Sequence, residues 1–224
     1  MDDREKSERS VFKRIKILRP AGRDYANLEV PYYAFLDEVT DIKVKVYSPD
    51  GSRLEVKPEI LEKIASKRGQ FEYRIKTLTV PDISPGQIID YEYKIRPTDV
   101  ASFITILGTS IRINVVLLNL TMPDYYSSLA VNWDLQDSVY IRRARFEFVP
   151  GRFIGVTRKD KYNLAWVANK LRDVKPIIDD RGLKLELTDI PPFDNEEFMP
   201  PESNEKISFK IYYLDPSIKN NQVY

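Results

Sequence analysis

The sequence predicts an all-β fold: an antiparallel β-sandwich of about a dozen short strands with at most one short helix. Three observations predict it. Apolar and polar residues alternate with a period of two in segment after segment, the pattern of strands with one face buried and one wet. Turn chemistry recurs every ~8–12 residues, as in Ser48-Pro-Asp-Gly-Ser and Pro150-Gly151. A single stretch, residues 58–67, carries helical spacing.

Residues 1–10, MDDREKSERS, are charged and read as a disordered or added terminal segment. Residues 11–18 set Val11, Ile15 and Ile17 against Lys13 and Lys16, and Pro20-Ala-Gly then turns the chain. Residues 27–33 form a second strand. Pro31 assigns it to an edge or a bulge, because proline cannot donate to a ladder. Ile42, Val44 and Val46 alternate with Lys43 and Lys45, and the Ser48–Ser52 turn joins that strand to residues 54–57 as a hairpin. In residues 58–67, Ile60, Leu61 and Ile64 fit one helical face, and Pro58 suits a first turn. Residues 71–80 return to strand. The short link from Pro81 to Gly86 leads into residues 88–96, with Ile89, Tyr91, Tyr93 and Ile95 on one face. So short a link predicts that these two strands are antiparallel neighbours.

The longest apolar run, residues 103–120, holds Arg112 and Asn114 in its middle and is broken at Gly108-Thr-Ser. Such groups are expensive in lipid, so the run reads as two strands and not as a membrane span. Residues 133–151, WDLQDSVYIRRARFEFVPG, read as the central strand: Ala144, Phe146 and Phe148 point one way, Arg143, Arg145 and Glu147 the other. Residues 152–157 and 163–168 are short strands, and residues 170–181, with Pro176, a surface loop. Leu183, Leu185 and Leu187 mark a strand. Residues 188–204, with Pro191, Pro192, Pro200 and Pro201, must run over the surface, and residues 207–214 form a last strand. No linker splits the chain, so one domain is expected over 11–214, followed by a polar tail at 215–224.

At 42% hydrophobic and 31% charged, the composition is that of a soluble globular chain. Lysines and arginines number 35 against 34 acids, a net charge of +1, which gives no overall field for nucleic acid or an anionic membrane. Arg142, Arg143 and Arg145 read as the solvated face of a strand. There is no Cys and no His. That excludes Cys-His and Ser-His catalysis, disulfides and the usual zinc sites, and leaves only hard metals held by oxygen. No cofactor is expected, and the chain reads as non-enzymatic.

Asp194, Asn195, Glu196 and Glu197 could offer oxygens to calcium, but their spacing matches no calcium loop and Phe193, Phe198 and Met199 interleave them. The plainer reading is a proline-rich strap whose aromatics plug the sandwich while its carboxylates meet water or arginines. A glycosidase carboxylate pair finds no positional support, and adjacent Asp179 and Asp180 diverge. Tyr32-Tyr33, Tyr125-Tyr126 and Tyr212-Tyr213 each put one ring inward and one outward. An outward tyrosine can stack on a sugar or contact a partner. The candidate contacts are therefore Tyr125, Tyr126, Phe193, Glu196 and Glu197. Trp133 and Trp166 read as core. Gly51, Gly69, Gly86 and Gly182 are isolated turn residues, not a phosphate loop.

Several phrases occur together: Gly22-Arg-Asp-Tyr-Ala-Asn, residues 76–81 leading to Gly86 and residues 89–93, WDLQDSVYIRRARFEF from Trp133, and LTDIPPFDNEEFMPPESN from Leu187, with Tyr212-Tyr213 following. In this set the chain resembles the DUF3857 family of bacterial all-β domains, over residues 11–214. The resemblance implies a β-sandwich with no established activity, set N-terminal to a transglutaminase-like domain in exported or envelope proteins. The Cys, His and Asp core of that neighbour is not in this sequence, so the chain is either a piece of a longer protein or a stand-alone version. Residues 100–124 look like an insertion relative to the family pattern. The expected function is a non-catalytic module that mediates protein interaction, with an envelope partner or by positioning a transglutaminase-like neighbour. The alternative is a carbohydrate- or peptide-binding module using surface tyrosines. Nucleic acid and a membrane span are not expected.

Overall fold

The computed structural model describes residues 8–68, 71–98, 130–149, 163–171, 174–179, 181–194, 196 and 198–214. The chain is all-β and antiparallel, as expected. It divides into two compact units, Met1–Ile113 and Asn114–Tyr224, where the strand pattern had suggested one sandwich. Each unit has its own apolar cluster. Alternation says which face of a strand is buried, but not which strands share a core.

The first unit holds two sheets. One is ordered β1-β7-β3-β4: Arg9–Lys16, Ile88–Pro97, Asp37–Tyr47 and Arg53–Leu54. The other is ordered β2-β6-β5: Asn27–Tyr33, Phe71–Thr79 and Glu59–Arg68. Val39, Val46, Ile89 and Tyr91 from the first sheet and Val30, Tyr32 and Leu78 from the second are buried in one cluster. That is sandwich packing of two inner faces. Pro31 does lie on an edge strand, since β2 pairs only with β6 among the described residues. The expected hairpin is also present: Val46 faces Leu54 across a turn in which Gly51 takes φ +87°.

Several expectations are corrected in the strands. Residues 58–67 are not a helix but β5, paired along its length with β6. Ile60, Leu61 and Ile64 fit a helical face and a strand equally, and a long partner strand decided for the strand. Residues 71–80 and 88–96 are not neighbours: β6 and β7 lie in different sheets. The link between them is a corner plugged by buried Ile83 and stitched to β1 by the Gly86 N–H to Ile17 O hydrogen bond of 2.6 Å and the Ile17 N–H to Gln87 O bond of 3.0 Å. Residues 170–181 are not wholly loop, since Ile177–Asp179 forms β11. The supposed N-terminal disordered segment also overreached: β1 begins at Arg9, and Glu8 is tied to Lys94 and Arg96.

The second unit also holds two sheets. One is β10-β13-β8: Asn163–Asn169, Ser208–Leu214 and Ala130–Asp134. The other is β11-β12-β9, with Gly182–Ile190 between Ile177–Asp179 and Ile141–Phe148. The stretch 133–151 is therefore not one central strand. Trp133 belongs to β8, and β9 pairs only with β12 among the described residues. The predicted facing of β9 holds: Ala144, Phe146 and Phe148 are half-buried, Arg143, Arg145 and Glu147 exposed. Trp133 stacks on Phe146 at 4.7 Å, Phe146 meets Phe209 at 6.4 Å, and Trp166 stacks on Phe209 at 5.6 Å. Both tryptophans pack on the core, as expected. The short helix α1, Glu202–Glu205, lies in the proline-rich segment, not at residues 58–67. The apolar run 103–120 lies outside the described residues, and among those described no helix is long and apolar enough to cross a membrane.

Candidate functional site

Two surfaces stand out, one in each unit. In the second unit, residues 191–207 leave β12 and return to β13 as a strap. Its prolines cannot donate to a ladder, which keeps the segment out of both sheets. The strap is held at both ends by one side chain. The Gln136 amide donates through Nε2 to Pro191 O at 3.2 Å, and its Oε1 accepts the Ile207 N–H at 2.9 Å. Around it the Phe193 N–H donates to Asp137 O at 2.8 Å and the Leu135 N–H to Ile207 O at 2.9 Å. Asn169 Nδ2 donates to Asn204 O at 3.1 Å and to Lys206 O at 2.9 Å, and Lys170 pairs with Glu205. These backbone polar groups of an irregular segment thus find partners in side chains and in neighbouring backbone outside the ladders.

Between these anchors the strap presents its apolar residues unequally. Phe193 is half-buried, with Lys206 Nζ 5.1 Å from its ring centre. Phe198 is 94% exposed and sits at φ +66°, a left-handed conformation that non-glycine residues rarely take. The expectation that the strap aromatics plug the sandwich therefore fails for Phe198. Asp194 and Glu196, which precede it in the strap, are exposed. The run from Asp189 to Lys206 carries Asp189, Asp194, Glu196, Glu197, Glu202 and Glu205 against Lys206 alone, in a chain of net charge +1. At its start, the Tyr140 hydroxyl donates to Asp189, which raises the Tyr140 pKa, burial adding to the effect.

In the first unit, all ten residues of β5 are exposed, among them Ile60, Leu61 and Ile64. Among the described residues β5 pairs only with β6, so its other edge presents unpaired backbone groups. It is tied down by Glu62, which accepts from the Tyr32 hydroxyl and from Arg74 at 3.1 Å, with Lys76 at 3.9 Å. The Tyr32 hydroxyl holds the Glu62 carboxyl below its ordinary pKa. Burial and Glu62 in turn push Tyr32 up to about 12. Lys63 reaches Glu29 at 3.0 Å and Lys67 reaches Glu72 at 2.6 Å.

Of the residues expected to make contacts, Phe193 and Glu196 lie on the strap, while Tyr125, Tyr126 and Glu197 lie outside the described residues. Sequence reasoning missed Gln136, since a lone glutamine carries no pattern. It missed the β5 edge because EILEKIASKR never alternates cleanly. Among the described residues no group of three or more acids is placed to hold a metal ion. Two open clefts of about 540 and 340 Å³ flank the corner at Asp82 and Ile83. The larger brings Arg23, Asp24, Asn27 and Ser84 together at its rim.

Fold and surfaces define an all-β protein built of small antiparallel sandwiches, with Phe198 on the strap and Ile60, Leu61 and Ile64 on the β5 edge among its exposed apolar groups. The chain belongs to the DUF3857 family, a domain of unknown function with a solved structure, whose model matches residues 3–193. The fold is similar to the crystal structure of "a putative protease" from Parabacteroides distasonis, with a TM-score of 0.63 and 15% identity. That likeness covers 92% of this chain, which spans 37% of the other. No curated protein matches the chain.

Proposed function

We propose that this chain is a non-catalytic β module that works by protein contact, positioning a transglutaminase-like neighbour domain. The observation that carries the reading is Phe198. A large aromatic side chain, nearly fully exposed, held at φ +66° and carried on a backbone clamped at both ends, is a preorganised anchor for a partner pocket. The acidic run around it selects a partner with a basic rim. The likeness to a much longer chain supports a module that works beside other domains. The test supplies a transglutaminase-like domain as a separate polypeptide. Co-elution with the wild-type chain, lost on Phe198→Ser, is expected. Turnover of a peptide or glycan substrate by this chain alone, or co-elution indifferent to Phe198→Ser, overturns the reading.

A further inference from the structure

The β5 edge suggests a second association, independent of the strap. We propose that β5 pairs antiparallel with β5 of a second copy, joining two β2-β6-β5 sheets into one continuous six-stranded sheet. The ten-residue strand lacks proline, and its lysines 63 and 67 are drawn to Glu29 and Glu72 of its own sheet. Of the usual devices that blunt an edge, proline is absent and both lysines are engaged within their own sheet, which leaves a bulge at Ala65 for the pairing to accommodate.

The strand is also complementary to itself. Glu59 opens it and Arg68 closes it. Neither makes an ion pair or side-chain hydrogen bond among the described residues. A two-fold axis normal to the sheet sets the start of one strand against the end of the other, so each Glu59 meets the partner copy's Arg68. Side chains opposed in this way must share a face. In a regular strand, residues nine positions apart lie on opposite faces. Here the register of β5 on β6 slips between Ile64 and Ser66, leaving Ala65 as the extra residue of a bulge. Glu59, opposite Thr79, and Arg68, opposite Phe71, thereby fall on the same face.

The same register sets Ile60 against Lys67 and Leu61 against Ser66. Glu62 spans the bulge, and Lys63 lies on the axis beside its copy. Like charges opposed across strands are unfavourable. Here each Lys63 keeps its own Glu29 partner at 3.0 Å.

Sedimentation of the full chain tests this directly. The wild type is expected to be dimeric. Arg68→Glu, which sets acid against Glu59, is expected to weaken the dimer by about tenfold or more. Adding Glu59→Arg to Arg68→Glu restores the pair with its sign reversed, and with it the dimer. Circular dichroism of each variant verifies the fold, and Phe198→Ser leaves this dimer unchanged. A wild type that stays monomeric up to about 100 μM, a scale set by weak specific association, overturns the proposal. So does a dimer indifferent to Arg68→Glu, or a double variant that fails to recover.

Discussion

The two units solve the problem of a small sandwich core differently. The first buries tyrosines and gives their polar tips partners: Tyr91 is fully buried, and its hydroxyl donates to Ala26 O at 2.7 Å. It also buries Asp90 on the outer face of its larger sheet, beneath an Arg14 that grips it twice at 2.7 Å. The second unit fills its core with a run of rings, Trp133, Phe146, Phe209 and Trp166, beside Leu183, Leu185 and Leu187. Its irregular backbone is satisfied at the surface, around Gln136. The first unit therefore leans on buried hydrogen bonds, with Thr40 Oγ1 an exception that is buried without a partner among the described residues, and the second leans on volume.

The largest expected effect breaks the volume side. Phe209→Ala removes the ring shared by Phe146 and Trp166 and is expected to destabilise the second unit by about 3–5 kcal/mol. Both tryptophans of the chain lie in this unit, so tryptophan fluorescence in a urea titration reads it alone. A loss below about 1 kcal/mol, as for a site free to collapse, defeats the contrast. Next comes Tyr91→Phe, which keeps the ring and removes one of two donors to the Ala26 carbonyl, leaving the Val80 N–H at 3.1 Å. The expected cost is about 0.5–1.5 kcal/mol, seen as faster hydrogen exchange of the β7 amides with tryptophan fluorescence unmoved. Unchanged β7 exchange would show that the hydroxyl bond contributes nothing.

The smallest effect sharpens the electrostatic side. Hydrogen bonds from Lys94 and then Arg96 lower the Glu8 pKa from its ordinary 4.5 to about 2. A depressed folded-state pKa stabilises above the unfolded value, so the contribution is present above pH 4.5 and lost as pH falls toward 2. Carboxyl NMR is expected to show Glu8 titrating near 2, and moving back toward 4.5 in Arg96→Ala. A wild-type midpoint already at 4.5 would remove the pair from consideration.

Much of the fold was legible because burial writes a period of two into the chain: Val44 and Val46, the three leucines of β12, and Phe146 with Phe148 all face as read. The partition into sheets was not, because a short link can be a hairpin or a corner. What decided for the corner was Ile83 filling a hole and Gly86, at φ +90° with Pro49 Cγ 2.9 Å from where a Cβ would stand. β5 was misread since its apolar residues suit two periods at once. The strap itself was visible in its prolines and acids, and Phe193 and Glu196 lie on it. That Phe198 turns outward depends on one backbone dihedral, which composition does not encode.

Gln136 has one last implication. By bonding the first and last residues of the strap, it closes a ring whose described residues enter neither sheet. Lengthening a closed ring adds little entropy, since closure depends only logarithmically on size. The segment inside can therefore be exchanged like a cassette. Related chains could swap recognition sequences there while leaving the scaffold beneath untouched.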